Sequence, residues 1–127
     1  MIIGTGIDII EIERVKKAAK NARFIERVFT REEQLYCQSR GAQAPASYAA
    51  RFAAKEAVLK AFGTGLRKGA LQEISVINDA LGAPAVLLSG YFGELAREKK
   101  ISSIHVSLSH AREYAVAQVI FWGSEDK

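Results

Sequence analysis

The sequence predicts an α+β fold in which helices pack on a mostly antiparallel sheet. One segment with strand alternation opens the chain, segments of helical pattern follow, and strand patterns dominate the second half. Strands and helices therefore do not alternate, as they do in folds built on a parallel sheet. The 127 residues hold no repeat, linker or low-complexity tract, so we expect one domain over residues 1–127.

The first strand is predicted over residues 2–10. Isoleucines and Thr5 alternate there with Gly4, Gly6 and Asp8, which gives one bulky face and one face of two glycines and a carboxylate. Glycine in a strand permits another group to come close. The glycine face is therefore expected to admit a ligand or another chain.

Helices are predicted next along the chain. A second, basic helical piece is expected over residues 24–28, and Thr30 is a predicted N-cap with Glu33 completing a capping box. The first helix covers residues 11–22, and the residues expected to face inward are Ile12, Val15, Ala19 and Ala22.

A longer helix and the strands of the second half complete the fold. We expect residues 41–45 to form a loop, Ser47 to be the N-cap of a helix reaching about Phe62, and Gly63 to end it. The remaining predicted ranges are strands 71–77, 85–88, 104–108 and 114–122, and a short helix 91–100.

Composition excludes several classes of protein. Hydrophobic residues make up 49% and charged residues 25% of the chain, as in ordinary soluble domains, so wholesale disorder is not expected. No apolar run approaches the roughly 20 residues of a membrane span. The N-terminus lacks the basic start of a signal peptide, and Cys37 alone forms neither an intrachain disulfide nor a cysteine zinc site. The expected compartment is the cytoplasm.

Positive charge is concentrated in one stretch. Residues 14–31 contain seven basic side chains against Glu26 alone, a net charge of +6 within a chain of net charge +4. Such a stretch is suited to docking an acidic partner, although a solvated helix face is the plainer interpretation.

Asp8 and a helical stripe are the first candidates for chemistry. A carboxylate at a strand end suits a hard cation, but Asp is also a favoured N-cap for the helix that follows. Phe52, Glu56 and Lys60 are spaced four residues apart and share one helix face. Either Glu56 and Lys60 form an exposed ion pair, or Glu56 binds a metal and Lys60 an anion.

The glycines that follow the stripe are a candidate phosphate site. Gly63, Thr64 and Gly65 precede Arg67 and Lys68, which places flexible backbone N–H groups beside positive charge. The spacing matches neither a Walker motif nor a dinucleotide fingerprint.

His105 shares one face of a predicted strand with Ser107 and Ser109. A hydrogen-bonded surface histidine is the commoner case and a catalytic histidine the alternative. No HExxH or GxSxG sequence occurs, so neither a zinc protease nor a serine hydrolase is indicated.

Four segments together resemble a known family, the holo-(acyl-carrier-protein) synthases, which are small bacterial 4′-phosphopantetheinyl transferases. Residues 6–14 (GIDIIEIER) are similar to its GxDxxxxxR opening, and residues 51–65 (RFAAKEAVLKAFGTG) to its RFAxKEAxxKAFGTG signature. Residues 78–84 and 105–110 match at the expected places. Ala83 departs from the family, many of whose members carry a basic or polar residue before the proline, which bears on the adenine contact.

The resemblance implies a reaction and a metal. The 4′-phosphopantetheine arm of coenzyme A is transferred to a serine of apo-acyl carrier protein, with Mg²⁺, and 3′,5′-ADP leaves. Asp8 and Glu56 are then the metal carboxylates and Lys60 the third catalytic residue, so strand end and helix stripe must meet. The base is a metal-associated water, Glu56 or His105, and we favour the water. The implied coenzyme A contacts are Arg51, Lys55, Lys60, Gly63, Gly65, Pro84 and His105.

The resemblance also implies partners. Acyl carrier proteins are acidic, so the basic stretch becomes a docking surface, with Arg14, Arg23 and Arg27 as its charges and Phe24 as an apolar anchor. Homotrimers with active sites between subunits are implied as well. A basic module that binds nucleic acid is the alternative, but it leaves Asp8 and Glu56 unexplained. An enzyme that acts on carrier domains of larger synthases is a third possibility. Neither nucleic acid nor membrane is expected as a partner.

Overall fold

The computed structural model describes residues 1–65 and 68–124. The helices are α1 (Ile12–Ala18), α2 (Ala22–Val28), α3 (Arg31–Ser39), α4 (Ala44–Phe62) and α5 (Gly90–Glu98). The strands are β1 (Ile2–Glu11), β2 (Ile74–Asn78), β3 (Pro84–Leu88), β4 (Ile101–His110) and β5 (Tyr114–Gly123). Single 3₁₀ turns cover Gly41–Gln43 and Leu71–Glu73. Among the described residues no helix is both long and apolar enough to cross a membrane.

Every strand pair is antiparallel within the described chain. Three strands form one sheet in the order β1-β5-β4, and β2 and β3 form a separate hairpin. Helix α4 lies across one face of the three-stranded sheet and forms the core with β5, whose residues alternate between buried and accessible. The predicted α+β class with a mostly antiparallel sheet is confirmed.

The glycine face of β1 is closed. A Cβ atom on Gly6 would overlap the backbone of Ala57, and one on Gly4 would overlap that of Ala61. The prediction that this face admits a ligand or another chain is wrong, because helix α4 occupies the space. The bulky face is the accessible one, with Ile7 exposed by 60% and Ile9 by 65%.

The basic stretch forms two helices with a break between them. Helix α1 ends at Ala18, four residues before the predicted end, and Ala22 is exposed and begins α2. The Asn21 side-chain oxygen accepts a hydrogen bond from the Arg23 backbone N–H at 2.8 Å, which caps α2. The hydrophobic periodicity predicted one continuous helix, but the cap at Asn21 starts a second helix there.

The capping box at α3 is confirmed. Thr30 Oγ1 accepts from the Glu33 backbone N–H at 3.1 Å, and Glu33 Oε1 accepts from the Thr30 backbone N–H at 2.7 Å. Helix α4 begins at Ala44 rather than after Ser47, because Pro45 is favoured in a first turn. Gly63, at φ +78°, ends it as predicted.

The second half differs mainly at element ends. Strand β2 starts at Ile74, since residues 71–73 form a 3₁₀ turn. Strand β4 starts at Ile101, three residues before the prediction, and extends to His110. The predicted helix and the last strand lie where expected, within two residues at each end.

Candidate active site

Asp8 and Lys60 meet where β1 lies against α4. Asp8 is on the inner face of β1, and its Oδ1 atom lies 3.0 Å from Lys60 Nζ, which also donates to the Ile7 carbonyl at 3.0 Å. The Asp8 side chain is 16% exposed and that of Lys60 56% exposed. The strand end and the helix stripe are therefore in contact, and their ion pair remains open to solvent.

Glu56 lies one helical turn before Lys60. Burial raises the pKa of Glu56 above its usual value, and the negative charge of Asp8 raises it further, while the positive charge of Lys60 opposes both effects. Two carboxylates are thus held close enough to repel each other. A cation between them would relieve that repulsion, and one lysine does so only in part.

The donor set fits Mg²⁺ better than a transition metal. Within residues 1–65 and 68–124 no group of three or more His, Cys, Asp or Glu side chains could hold a metal ion. Asp8 and Glu56 are the two carboxylates that affect each other where β1 lies against α4. Mg²⁺ is commonly held by one or two carboxylates and completes its six oxygens from substrate phosphates and water, whereas zinc needs at least three protein ligands.

A cavity of about 400 Å³ lies at the other edge of the sheet. Arg51 is 4% exposed there, donates from Nη2 to Asn78 Oδ1 at 2.6 Å, and stacks over the Tyr36 ring at 4.2 Å. Its Nε atom is buried without a hydrogen-bond partner among the described residues. Pro84 and His110 complete the wall. The predicted Arg51 and Pro84 are thus brought together, in a cavity that can accept an anion.

Lys55 does not lie in any such cavity. Its side chain is 0% exposed, and its Nζ atom contacts Glu33 Oε1 at 2.9 Å and two backbone carbonyls. The prediction that Lys55 contacts coenzyme A is wrong, because these groups use all three of its N–H donors inside the protein.

Gly63 and Gly65 line a separate cavity of about 270 Å³ with Lys68 and Tyr91. Both glycines have positive φ, +78° and +66°, which turns the backbone sharply after α4. Arg67, which the sequence placed in the same cradle, lies outside the described residues.

His105 is not brought to the carboxylates. It lies on the outer face of the sheet, opposite Ile120 of β5, and its Nε2 atom is 3.1 Å from Ser103 Oγ. Asp8 lies on the inner face. Within one chain, His105 therefore has no access to the Asp8 site.

The basic helix α2 borders a cleft of about 840 Å³. Arg23 and Arg27 stand at this cleft, and Phe24 lies among them, packed against Phe29 and Phe52 with ring centroids 6.1 and 5.9 Å apart. Arg14 is exposed on α1 and does not line this cleft.

Sequence reasoning gave no role to Tyr36, Asn78 and His110, which also line the Arg51 cavity. Asn78 and His110 fall within the matched segments, but their spacing assigns them no role. Tyr36 belongs to α3, and only the packing of α3 on α4 brings its ring under the Arg51 guanidinium.

The two groups of residues lie at opposite edges of the sheet. Asp8 is on β1, the cavity wall is formed partly by β4, and β5 lies between them, so about 10 Å separates the two edges. Asp8, Glu56 and Lys60 do not line the cavity that holds Arg51. These two groups of residues, here called the two partial sites, therefore do not share one cavity in the described chain.

Known proteins resemble this chain along nearly its whole length. A holo-(acyl-carrier-protein) synthase of Ruminiclostridium cellulolyticum is 52% identical over 123 residues, which are 94% of this chain and 90% of that protein. The crystal structure of the synthase from Neisseria meningitidis has a TM-score of 0.87 and 34% identity, and covers 96% of this chain and 99% of that one. The Bacillus anthracis synthase in complex with coenzyme A (3′,5′-ADP) has a TM-score of 0.81 and 38% identity, with 98% and 99% covered.

The family comparison agrees with these likenesses. The model described as the 4′-phosphopantetheinyl transferase superfamily matches residues 4–119, which include both partial sites. On this ground the chain belongs to the 4′-phosphopantetheinyl transferase superfamily.

Proposed function

We propose that this protein is a holo-(acyl-carrier-protein) synthase. It transfers the 4′-phosphopantetheine group of coenzyme A to a serine of apo-acyl carrier protein and releases 3′,5′-ADP. The relatives at about half identity carry this name, and structural relatives were solved with coenzyme A. The observation that carries the proposal is the ion pair of Asp8 with Lys60, which joins two elements far apart in sequence and lies one helical turn from Glu56.

The residues present suit attack on a pyrophosphate. Phosphoryl transfer depends on positioning and on neutralising charge more than on covalent help from the protein. Asp8 and Glu56 would hold Mg²⁺, which when bound supplies Lewis-acid stabilisation of the pyrophosphate. Lys60 adds a positive charge for the leaving phosphate. Because Glu56 is a ligand in this arrangement, the serine proton passes to a water molecule at the site rather than to Glu56.

Coenzyme A is proposed to span the two partial sites. The Arg51 guanidinium, with Asn78 and Pro84 beside it, suits the nucleotide part with its 3′-phosphate. The backbone N–H groups of Thr64 and Gly65 suit the phosphates near the reacting atom.

The acyl carrier protein is proposed to dock on α1 and α2. Arg23 and Arg27 border the cleft beside α2, and Arg14 is exposed on α1. Arginines pair with carboxylates in bidentate fashion, so they suit the acidic surface of a carrier. Phe24 gives the same surface an apolar floor.

A homotrimer is proposed to complete the active site. The outer face of the sheet exposes Ile7, Ile9 and Trp122, and its β1 edge has no partner strand among the described residues. An apolar sheet face of this kind is normally covered by another surface. In a ring of three chains, the β1 edge of one chain would meet the Arg51 edge of the next, and His105 on the outer face would gain access to the site between them.

Mass spectrometry tests the function directly. Apo-acyl carrier protein incubated with this protein and coenzyme A is expected to gain one phosphopantetheine group, and only when Mg²⁺ is present. Asp8→Asn should abolish the gain while the protein remains folded, and Glu98→Gln, an exposed change on α5, should leave it intact. No gain with a folded protein and a competent carrier would refute the proposal. A gain that persists in excess chelator would refute the metal assignment alone.

A further inference from the structure

We propose that Glu33 and Lys55 are positioning residues for both substrates of the reaction. Their buried ion pair holds residues 71–78, here called the bridging segment, and this segment supports the carrier surface at one end and the Arg51 cavity at the other. The inference rests on the proposed function for the identity of the substrates.

The ion pair grips the bridging segment at three backbone groups. Lys55 Nζ donates to the Leu71 carbonyl at 2.9 Å and to the Ile74 carbonyl at 2.5 Å. Glu33 Oε2 accepts from the Val76 backbone N–H at 2.7 Å. Both charged side chains are 0% exposed. The segment passes from a 3₁₀ turn into a strand here, so its backbone groups need partners from outside.

The network is complete at both ions. Lys55 uses its three donors on Glu33 and two carbonyls, and Glu33 also accepts from the Thr30 backbone N–H at 2.7 Å. A buried ion pair is weak support for a stabilising role, because apolar residues of similar volume often replace one without loss. Fully satisfied buried networks instead fix one arrangement of the elements that they join. Here they join α3, α4 and the bridging segment.

One end of the bridging segment supports the carrier surface. The Gln72 side-chain amide donates to the carbonyl of Glu26, in the last turn of α2, and to that of Phe29 at 3.2 Å. Leu71 lines the cleft that Arg27 borders. A displaced segment would therefore displace α2 and change the wall of its cleft.

The other end supports the nucleotide cavity. Asn78, the last residue of β2, accepts from Arg51 Nη2 at 2.6 Å, and its own amide donates to the Gly82 carbonyl at 2.9 Å. Asn78 thus orients the guanidinium whose Nε atom faces no partner among the described residues. Movement of β2 would therefore change the orientation of the Arg51 guanidinium in the cavity.

No hydrogen bond or ion pair in the described chain joins Glu33 or Lys55 to the groups proposed for the chemistry, although Lys55 directly precedes Glu56 in α4. Asp8 and Lys60 pair with each other where β1 meets the end of α4. Loss of the ion pair should therefore raise the KM values for both substrates and leave kcat nearly unchanged.

The test compares Lys55→Met, the double variant Glu33→Met/Lys55→Met, and the control Phe121→Leu, a fully buried change in β5. The double variant removes both charges and so avoids a lone buried ion, which guards against unfolding. If Lys55→Met and the double variant fold, their KM values for coenzyme A and for the carrier should each rise about tenfold, because the groups that bind these substrates are misplaced. The kcat value should stay within about twofold of the wild type. Hydrogen exchange at the Val76 amide should accelerate. Phe121→Leu should lower the melting temperature without these changes.

Two outcomes would overturn the inference. The first is a folded double variant with unchanged KM values and a protected Val76 amide, which would make the pair merely stabilising. The second is a raised KM for one substrate alone, which would show that the segment does not serve both sites. If the wild type transfers nothing, the proposed function fails, while Val76 exchange and coenzyme A affinity measured by calorimetry still decide whether the pair positions the segment.

Discussion

Asp8 and Glu56 show how an electrostatic interaction between two side chains indicates a function that neither residue indicates alone. Either carboxylate alone has an ordinary structural explanation, as a helix cap or as half of a surface ion pair. Their proximity, which raises the pKa of Glu56 together with burial, is costly unless a cation lies nearby. The pair was predicted only through the family resemblance. Asp8 and Glu56 are 48 positions apart, and the sequence pattern does not indicate whether two such distant residues are close in space.

Lys55 shows what the sequence does not predict about a single residue, namely the direction of its side chain. Its neighbours in the sequence, Ala54 and Glu56, place it in a motif, but motif membership does not tell whether a lysine points to ligand or core. Only its partner Glu33, which belongs to another helix, decides that, and the ion pair of the two is fully buried. Long-range pairing of this kind leaves no periodic signal in the sequence.

Cys37 supplies a prediction on pH. Burial raises the pKa of its thiol from the ordinary value of 9.0 to about 11. Below pH 9 the thiol is protonated in both the folded and the unfolded state, so it has no effect on stability. Between pH 9 and 11 only the unfolded state ionises, and stability is lost as the pH rises. The unfolding free energy should fall relative to that of Cys37→Ala by up to about 3 kcal/mol.

Urea titrations of the wild type and of Cys37→Ala at several pH values measure the difference between their unfolding free energies. At pH 8 the folded protein should also react with a thiol reagent only as fast as it unfolds. A difference that does not change between pH 9 and 11, or rapid labelling at pH 8, would show that the thiol is accessible.

The pairing of β1 with α4 depends on two glycines, at the scale of elements. Gly6→Ala would place a methyl group on the Ala57 backbone, and neither a strand nor a helix backbone yields easily. We expect a loss of about 1–3 kcal/mol of unfolding free energy, as for other overpacked sites. Transfer activity should fall as well, because the same spacing sets the contact of Asp8 with Lys60.

Thermal melting and transfer rates of Gly6→Ala and Gly93→Ala check this expectation. A Cβ atom on Gly93, inside α5, would lie 3.3 Å from the Leu88 carbonyl oxygen, an adjustable contact, and alanine favours a helix. The control should therefore change little. Equal melting temperatures for the two variants would mean that β1 is free to move from α4.

Local signals predicted element ends better than they predicted packing. The capping box at Thr30 and the stop at Gly63 were found because each depends on residues within one turn. Ser47 was wrong because Pro45, two residues earlier, is also a good helix start. The prediction that the glycine face of β1 is open was wrong. Glycine in a strand indicates that another group comes close, but it does not indicate whether that group is a ligand, another chain or a helix of the same chain.

Helix α2 carries a prediction on the carrier. Arg27 borders the cleft proposed for docking and is exposed. Arg27→Ala should raise the KM for the carrier about fivefold at low salt, and the difference should shrink at high salt, because screening weakens steering between opposite charges. The affinity for coenzyme A should stay the same.

Steady-state kinetics at two salt concentrations test the assignment of Arg27. Arg97→Ala removes another exposed arginine, on α5, and should alter neither the KM for the carrier nor the affinity for coenzyme A. If coenzyme A affinity drops with Arg27→Ala, the arginine belongs to the nucleotide site instead.

The outer sheet face carries a prediction for the whole molecule. Ile9 is 65% exposed in the single chain and would be covered in the proposed trimer. Ile9→Lys would bury unpaired charges in that interface, which costs several kcal/mol. The protein should become monomeric and lose transfer activity while its fold persists.

Analytical ultracentrifugation and circular dichroism measure the two properties. Leu35→Lys, a similar change on the exposed surface of α3, should leave the assembly unchanged. A wild-type monomer with full activity would exclude the trimer as a condition for the reaction.

If the proposed trimer forms, the separation of Asp8 and Arg51 at opposite edges of the sheet should let two defective chains complement each other. Asp8→Asn and Arg51→Ala should each be inactive as pure assemblies. If the two are co-expressed, about a quarter of the sites between neighbouring chains would receive one intact edge from each chain. Activity near that fraction of the wild-type value, measured on the mixed assembly, would show intersubunit complementation. A chain that built its whole site alone would show none.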